Sequence, residues 1–410
     1  MHLLLVTTCF PYDGINEFLD DEVWHLAHQF DDVTIAPMKP MGEIKALLPK
    51  NVNVDLALSA ELGYRSVGGG AALRKVSAVV RSLLPCPTSS EVTFREFFRS
   101  TRKIALLKQI LVGRADSKSV CRWATRRSTP SICYTFWLGP ATVGLRLAYP
   151  KIPIVSRAHG GDVYPEASGW KVIPFQAAAV RSSTIVAAVS ENGSNYLASQ
   201  FAAFSDRVAC RRLGIADMPR GSEERTRTVL NVVSCSTVNS NKRVSLILGV
   251  VRELARSGVQ TRWTHIGGGP AFERLSSEAS VIQENLEICL TGQLTGEESR
   301  EVLRNGGFNV FVNLSLSEGA PVSVMEAQCL DIPVVATRVG GVREVAPEHL
   351  NVFVEVDSEV AEIAEAVVRA ADLESLTRGQ RRESWANNYY EKTNYESWCR
   401  ELVELTQGNL

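Results

Sequence analysis

The sequence predicts an α/β fold with two domains, each built around a parallel sheet. Short β-rich apolar runs recur along the chain and alternate with segments of helical spacing, which is typical of βαβ units. The chain has 410 residues, more than a usual single core, and a polar, linker-like segment interrupts the alternation at 216–227. We therefore expect a first domain over residues 1–215 and a second over residues 228–385.

The first domain opens with a βαβ pattern. His2–Phe10 is predicted as a strand, Asn16–Gln29 as a helix and Asp32–Pro37 as a second strand. The opening run is too short to span a membrane and has no preceding basic region, so we interpret it as a buried strand. The turn after it contains Gly14 and lies where parallel sheets bind ligands. Gly14 therefore either faces an acceptor or a phosphate, or belongs to a plain turn.

Charge and cysteine usage narrow the functional classes. Lys and Arg number 44 against 45 Asp and Glu, which gives a net charge of −1 and no global bias toward nucleic acid. The nine cysteines are scattered, without a Cys-x-x-Cys pair or a histidine cluster at metal-binding spacing. A reducing, cytoplasmic location is the simplest prediction.

One segment, residues 71–127, is strongly basic, with 13 Lys and Arg against three acidic residues. The apolar side chains between these cations include Phe94, Phe97, Phe98, Ile104 and Leu107. This pattern suits an amphipathic helix lying on the inner face of the cell membrane, where it would meet anionic lipid and a lipid-linked acceptor. A solvated helix face is the alternative. Nucleic-acid binding is not supported, because no RNA- or DNA-binding module accompanies the patch.

The alternation of strands and helices continues to the end of the chain. Further strands of the first domain are predicted at Ser131–Phe136, Pro153–Arg157, Thr184–Val189 and Arg207–Gly214. In the second domain we predict strands at Val229–Cys235, Arg262–Ile266, Leu286–Thr291 and Phe308–Ser315, and helices starting at Asn241, Pro270 and Gly296. The aromatic segment Glu383–Leu405 is predicted to be helical. The second domain is therefore expected to be Rossmann-like as well.

Residues 315–344 of the second domain carry the strongest functional signal. They are predicted to form a strand end, a turn, a helix, a strand and a glycine turn, with the helix opening near Gly319 and closing before Pro333. Within that helix Glu326 shares a face with three apolar side chains. Burying an unpaired carboxylate costs roughly several kcal/mol. Glu326 must therefore meet a cation, hydrogen-bond donors or ligand hydroxyls.

The pair Glu318 and Glu326, set in EGAPVSVMEA and followed by PVVAT and VGGVRE, resembles the Glu-x7-Glu motif of retaining family 4 glycosyltransferases. The resemblance implies a GT-B fold, in which two Rossmann-like domains face a cleft and a C-terminal helix, here about 386–410, crosses back to the first domain. It also implies transfer of a sugar, with retention, from a nucleotide-sugar donor to a glycan or lipid-linked acceptor. Closure of the cleft would assemble the site.

The same resemblance implies roles for individual residues. Glu326 would hold the ribose hydroxyls of the donor, and Glu318 would lie beside the donor sugar. The segment RAHGGD is similar to the family's His-Gly-x-Asp loop, so His159 would approach the donor sugar, while Asp162 either contacts the ligand or braces the loop.

The diphosphate of the donor needs positive charge or backbone donors. Lys242 falls on the family's lysine position, but Thr237 stands where arginine is usual. Backbone N–H groups near Gly319–Ala320, at the helix start, would compensate for the missing cation. The glycines Gly267–Gly268 follow a strand and precede a helix, so they either let the backbone approach the nucleotide or form a simple loop.

The sequence also bears on metal dependence and on the biological role. No Asp-x-Asp pair stands at a predicted strand end, so we predict no catalytic metal and no cofactor besides the donor itself. The segments FPYDGINEFLDDEV and SRAHGGDVY are similar to those of bacterial exopolysaccharide glycosyltransferases of the colanic acid or amylovoran kind, which implies a role in surface polysaccharide synthesis. Two alternatives remain open. A GT-B sugar-nucleotide epimerase would release an isomerised donor without an acceptor, and a non-catalytic sugar-nucleotide-binding subunit is suggested by Thr237.

Overall fold

The computed structural model describes residues 1–13, 19–44, 46–63, 103–165, 172–219, 221 and 228–408. The chain forms two compact units, Met1–Arg212 together with Glu391–Leu410, and Leu213–Tyr390. We expected the first domain to extend to residue 215, but the second unit already begins at Leu213. The reason is a short parallel bridge between Ile215 and Tyr390, in which the Ile215 N–H donates to the Tyr389 carbonyl at 3.0 Å.

A seven-stranded parallel sheet forms the centre of the first unit. The strands of this unit are β1 (His2–Thr7), β2 (Tyr12–Asp13), β3 (Asp32–Pro37), β4 (Met41–Ile44), β5 (Val52–Val54), β6 (Ile132–Thr135), β7 (Ile154–Ala158), β8 (Ile185–Ala188) and β9 (Val208–Cys210). The sheet order is β5-β3-β1-β6-β7-β8-β9, while β2 and β4 form a separate antiparallel pair. The strand order reverses between β1 and β6: the strands after β1 are added on one side, and those after β6 on the other. The loops that follow β1 and β6 therefore lead to opposite sides of this point.

Helices cover both faces of this sheet. They are α1 (Glu22–Gln29), α2 (Ala57–Glu61), α3 (Lys103–Ala124), α4 (Pro140–Ala148), α5 (Gly160–Val163), α6 (Gln176–Ser182), α7 (Glu191–Gln200) and a 3-10 helix at Ala202–Arg207. Alternate residues of β1 point to different cores. Leu3 and Leu5 pack with α1, whereas Leu4 and Val6 pack with α3 and α4. Burial on both faces explains why the β1 sequence is continuously apolar.

The six-stranded sheet of the second unit is also entirely parallel. Its strands are β10 (Leu230–Cys235), β11 (Thr261–Ile266), β12 (Leu286–Leu290), β13 (Val310–Asn313), β14 (Val334–Thr337) and β15 (Val352–Val354). Its helices are α8 (Val244–Arg256), α9 (Phe272–Ala279), α10 (Gly296–Asn305), α11 (Val322–Cys329), α12 (Val342–Val345), α13 (Val360–Leu376) and α14 (Gln380–Tyr389). The sheet order β12-β11-β10-β13-β14-β15 turns back between β10 and β13, and this order confirms the predicted second Rossmann-like domain.

The last helix, α15 (Glu391–Thr406), belongs to the first unit and confirms the predicted return of the C-terminus. Its Trp398 indole N–H donates to the Glu22 carboxylate at 3.0 Å, and the same carboxylate lies 3.0 Å from the guanidinium of Arg157. Both charged side chains are fully buried. Because a buried ion pair needs its remaining groups satisfied, Trp398 and the Tyr134 hydroxyl, 2.8 Å from Glu22, stabilise this arrangement.

Several elements differ from the sequence-based prediction. The helix expected from Asn241 begins at Val244, because Arg243 has a left-handed φ of 49° that a helix does not accommodate. The aromatic C-terminal segment forms two helices separated at Tyr390, not one. Strands β5 and β15, of three residues each, were not predicted. No helix in the described part of the chain is long and apolar enough to cross a membrane.

Candidate functional site

The loops that follow β10 and β13 carry the first group of predicted site residues. These two strands are neighbours in the second sheet. The strands that follow β10 in the sequence, β11 and β12, lie on its other side, so the strand order reverses between β10 and β13. Open α/β sheets bind ligands at the carboxyl ends of such a strand pair. Lys242 lies in the loop after β10 and Glu318 in the loop after β13, so both stand at this position.

Three donors contact one carboxylate oxygen of Glu318. The Lys242 ammonium donates to Glu318 Oε1 at 2.6 Å, the Ser315 hydroxyl at 2.6 Å and the Asn313 side-chain amide at 3.3 Å. The Glu318 residue is only 7% exposed. The ion pair and the two neutral donors therefore stabilise a carboxylate that would otherwise be costly to bury. Sequence reasoning did not single out Asn313 or Ser315.

Asparagine side chains hold the two loops together. The Asn241 side-chain amide donates to the Ser317 carbonyl at 3.1 Å, and the Asn241 carbonyl accepts from the Leu316 N–H at 2.8 Å. The Lys242 N–H donates to the Asn239 side-chain oxygen at 3.0 Å. These bonds use backbone groups in place of a helical turn and fix the position of Lys242 opposite Glu318.

The glycine turn after β14 packs against the backbone of Glu318. Gly340 has a left-handed φ of 50°, and a Cβ added to it would lie 1.8 Å from the Glu318 carbonyl oxygen. The neighbouring Gly341 N–H donates to the Gly319 carbonyl at 3.0 Å. Only a residue without a side chain allows this contact. The VGGVRE segment of the sequence thus has a packing role next to Glu318.

Helix α11 begins at Val322, with Pro321 at its N-cap position, so Glu318 and Gly319–Ala320 precede the helix. Glu326 lies inside it and is 8% exposed. We predicted a single apolar helix face, but every residue of 324–329 is buried. The helix is thus enclosed by the second unit on most of its circumference, which is why its sequence shows little amphipathic periodicity.

The pKa of the Cys235 thiol, at the end of β10, responds to the charges of both Glu326 and Lys242. Burial raises the pKa of the Cys235 thiol far above its usual range, the Glu326 carboxylate raises it further, and the Lys242 ammonium lowers it. The charges of Glu326 and Lys242 thus both act, with opposite sign, on the thiol at the end of β10.

The Gly267–Gly268 loop lies against the loop that contains Thr237. Gly267 has a φ of 131°, and a Cβ there would lie 2.2 Å from the Ser236 carbonyl oxygen. The Gly268 carbonyl accepts from the Val238 N–H at 2.8 Å. Backbone packing thus requires glycine at Gly267, as it would in a simple loop, and the two glycines also place bare backbone beside the predicted diphosphate loop.

Arg243 does not replace the arginine that is missing at Thr237. Its guanidinium donates to the Leu314 and Val356 carbonyl groups at 2.5 and 2.6 Å. It therefore joins the ends of β13 and β15. Thr237 itself is exposed.

The second group of predicted residues lies in the first unit, after β7. His159 is the N-cap residue of α5 and is 8% exposed. Its imidazole packs against two aromatic rings, with centroid distances of 4.7 Å to Phe136 and 4.6 Å to Trp137. Burial lowers the pKa of His159 to about 3, and the nearby Arg157 charge contributes to this shift. The imidazole is therefore neutral at physiological pH.

The Asp162 carboxylate connects the loops after β6 and β7. Its two oxygens accept hydrogen bonds from the backbone N–H groups of Leu138, at 2.7 Å, and of His159. Burial raises the pKa of Asp162 to about 8, although these backbone donors lower it. Of the two alternatives left by the sequence, this geometry is that of a residue bracing the loop.

The structure describes the remaining predicted features only in part. Gly14 and residues 71–102 lie outside the described residues. At the end of the basic segment, Arg122 and Arg126 pair with Glu61 and Arg127 pairs with Asp55. Among the side chains that the structure describes, no group of three or more His, Cys, Asp or Glu could hold a metal ion.

Residues 221–392 match the family described as Glycosyl transferases group 1. The chain is 24% identical over 229 residues to a phosphatidylinositol N-acetylglucosaminyltransferase subunit from Arabidopsis thaliana, a match that covers 55% of this chain and 49% of that protein. TuaC of Bacillus subtilis, named for teichuronic acid biosynthesis, is 29% identical over 231 residues, 53% of this chain and 55% of TuaC. WcaL of Escherichia coli, named for colanic acid biosynthesis, is 25% identical over 179 residues, 42% of this chain and 43% of WcaL. The matched stretches thus span about half the length of these relatives.

Solved structures resemble the whole chain in fold. TarM superposes with a TM-score of 0.68 at 12% identity, covering 99% of each chain. Anabaena HepE in complex with UDP-glucose superposes with a TM-score of 0.65 at 12% identity, covering 98% of this chain and 99% of HepE. These likenesses confirm the predicted two-domain GT-B fold.

Proposed function

We propose that this chain, whose residues 221–392 match the family of group 1 glycosyl transferases, transfers a sugar from a nucleotide-sugar donor to a glycan or lipid-linked acceptor. The observation that carries the proposal is the Lys242–Glu318 pair at the point where the strand order of the second sheet turns back. A cation and a buried carboxylate at this edge suit a ligand that has both a diphosphate and hydroxyl groups.

In the proposed complex each group has a separate task. Lys242 neutralises charge on the diphosphate as it becomes the leaving group, and Glu318 accepts a hydrogen bond from the donor sugar. Glu326 accepts hydrogen bonds from the ribose hydroxyls. The backbone N–H groups near Gly319–Ala320, together with the positive end of α11, supply the donors that Thr237 does not. The transfer is proposed to need no metal ion, so activity should persist in EDTA.

Retention of the anomeric configuration belongs to the same proposal. It is supported by the spacing of Glu318 and Glu326, which resembles the motif of retaining enzymes. No residue is proposed as a covalent nucleophile, and Oε1 of Glu318 already accepts hydrogen bonds from Lys242, Ser315 and Asn313. A front-face route, in which a diphosphate oxygen takes the proton of the acceptor hydroxyl, is consistent with this set.

The acceptor is proposed to be a bacterial surface polysaccharide or its lipid-linked precursor, which the names of TuaC and WcaL support. Peripheral membrane contact is proposed through the basic segment. In its described part, Leu107 is 47% and Val112 37% exposed on α3, with exposed Lys108 between them. Binding to anionic liposomes at low salt tests this contact, and loss of binding at high salt is expected because screening weakens it.

The experiment that tests the function incubates the full chain with UDP-, GDP- and dTDP-sugars, with and without polysaccharide or lipid-linked acceptors. Nucleotide release that depends on the acceptor, with an α-configured product from an α-linked donor, is the expected result. Isomerised donor without acceptor would indicate an epimerase, and binding without any turnover would indicate a non-catalytic subunit. Either of these two results would contradict the proposal.

A further inference from the structure

Trp137 stands at the position of the first sheet that corresponds to the Lys242–Glu318 position of the second. It lies in the loop after β6, and β6 neighbours β1 where the strand order of the first unit turns back. Side chains at such a position face the ligand-binding edge of an open sheet. Trp137 is partly exposed, whereas its neighbours Phe136 and Leu138 are buried.

The indole of Trp137 packs on the imidazole of His159, with the ring centroids 4.6 Å apart and the planes at 48°. Both nitrogens of the His159 ring are buried and, within the described part of the chain, have no hydrogen-bond partner. A buried polar group without a partner is costly, so a ligand group that supplies the missing bond would be stabilised at this ring. A neutral imidazole offers one donor and one acceptor, which matches a hydroxyl.

The two rings form a preorganised pair. The Asp162 carboxylate accepts from the N–H of Leu138, which follows Trp137, and from the N–H of His159 itself. One buried side chain therefore fixes the backbone at both rings. Rigid placement of an aromatic face beside a polar group lowers the entropy cost of binding a ligand that has the matching shape.

We propose that Trp137 and His159 together bind a pyranose ring, with the indole against the apolar C–H face of the sugar and the imidazole bonded to one hydroxyl. This rests on the proposed glycosyltransferase function and adds Trp137 to it as a residue that contacts sugar. The same chemistry fits the sugar of the donor and a sugar of the acceptor. The competing explanation is that Trp137 only packs against the core cluster that contains Phe136.

The first arm of the test measures the donor by calorimetry on the full chain. The probes are UDP-glucose, UDP-N-acetylglucosamine and GDP-mannose, each compared with UDP or GDP alone, for the wild type and for Trp137→Ala and Trp137→Phe. If the donor sugar is bound, Trp137→Ala raises the Kd of the nucleotide sugar by about tenfold and leaves the Kd of the bare nucleotide unchanged. An aromatic ring contact contributes about 1.4 kcal/mol, which is a tenfold change in Kd. Trp137→Phe, which keeps an aromatic face, stays within about threefold of the wild type.

The second arm measures the acceptor by tryptophan fluorescence, with the protein saturated with UDP or GDP. Methyl glycosides of glucose, galactose, mannose and N-acetylglucosamine are the probes. If an acceptor sugar is bound, one of them changes the emission of the wild type and not that of Trp137→Phe, while Trp137→Phe still binds it by calorimetry. A positive result in either arm supports the proposal and identifies the source of the sugar.

The proposal is overturned if neither arm depends on Trp137 while the nucleotide still binds. It is also overturned if Trp137→Phe is as damaging as Trp137→Ala and both lower the melting temperature, because the role is then only structural. Failure of the proposed function is distinguishable. In that case the wild type binds no nucleotide, or binds it equally well after Glu326→Ala.

Discussion

The ammonium of Lys242 lies 2.6 Å from Oε1 of Glu318, although the two residues are 76 positions apart in the sequence. Each follows one of the two strands, β10 and β13, between which the order of the second sheet turns back. The contact therefore combines the two loops at the ligand-binding edge into one charged site. Lys242, which we propose meets the diphosphate of the donor, is thus held in place by Glu318 and by the asparagines of its own loop.

Removing the charge of Lys242 should weaken nucleotide binding. In Lys242→Met we expect the Kd of UDP or GDP to rise by about 10- to 100-fold, because a hydrogen bond to a charged group contributes about 1.5–3 kcal/mol, and the Kd of the parent nucleoside to stay unchanged. Calorimetry measures both. The matched control is Arg256→Met, which removes an exposed cation of the same unit that is 68% accessible. Equal losses in the two variants would show that the effect is only one of net charge.

Adding a methyl group at Gly340 should displace Glu318. We expect Gly340→Ala to lower the free energy of unfolding by about 2 kcal/mol or more and to impair nucleotide binding, because the added Cβ would lie 1.8 Å from the Glu318 carbonyl oxygen. Gly258→Ala is the matched control, since Gly258 has a φ of 85° and nothing within 4 Å of an added Cβ. It should cost only about 1 kcal/mol of conformational strain and leave binding intact. Denaturant unfolding and calorimetry compare the two, and identical behaviour would refute the contact.

The sequence predicted the fold better than the details of the site. Strand β3 was predicted to the residue as Asp32–Pro37, because a buried strand between turn residues leaves a clear pattern. The start of α8 was placed three residues early, because the Lys242 N–H bonds the Asn239 side chain and the Asn241 carbonyl bonds the Leu316 N–H, and such competition cannot be read from periodicity.

Contacts between loops that are distant in the sequence could not be predicted. The Glu318 and Lys242 positions followed from a motif, but nothing local marks Asn313 as a donor to Glu318 or Trp137 as the ring beside His159. In the sequence Gly340 appeared only as part of a motif. The structure shows that glycine is needed there because a Cβ would clash with the Glu318 carbonyl. These relationships depend on which strands become neighbours, and adjacency in a sheet is a property of topology.

The buried carboxyl group of Asp162 should make stability depend on pH. Its folded pKa of about 8 lies above the ordinary value of 3.8, so the folded state binds the proton more tightly and the stabilisation present at low pH is lost as the pH rises through 8. Asp162→Asn has no such proton and should be less stable at pH 6, because its amide nitrogen would face a backbone N–H donor where the wild type has an oxygen. Its deficit relative to the wild type should shrink by pH 9. Melting temperatures between pH 5 and 9 measure this, and a deficit that grows with pH would contradict it.

The imidazole of His159 should stay neutral across the physiological range. Burial lowers its pKa to about 3, so its contribution to stability is complete above the unfolded value of 6.5 and falls as the pH drops toward 3. We expect the His159 resonance, assigned by its absence in His159→Gln, to show no titration between pH 5 and 8 in NMR spectra. A midpoint near 6.5 would mean that the ring is open to water in solution.

Glu326 tests the central claim most directly, because its side chain is buried on α11 and we propose that its carboxylate holds the ribose hydroxyls of the donor. The measurement is the Kd of UDP and GDP by calorimetry for the wild type, for Glu326→Ala and for Glu301→Ala, which removes an exposed glutamate from α10 of the same unit. If the second unit is a sugar-nucleotide site, Glu326→Ala raises the Kd by about 100-fold or more, as expected for the loss of two hydrogen bonds to a charged group, while Glu301→Ala changes nothing. An unchanged Kd in a folded Glu326→Ala protein would contradict the account.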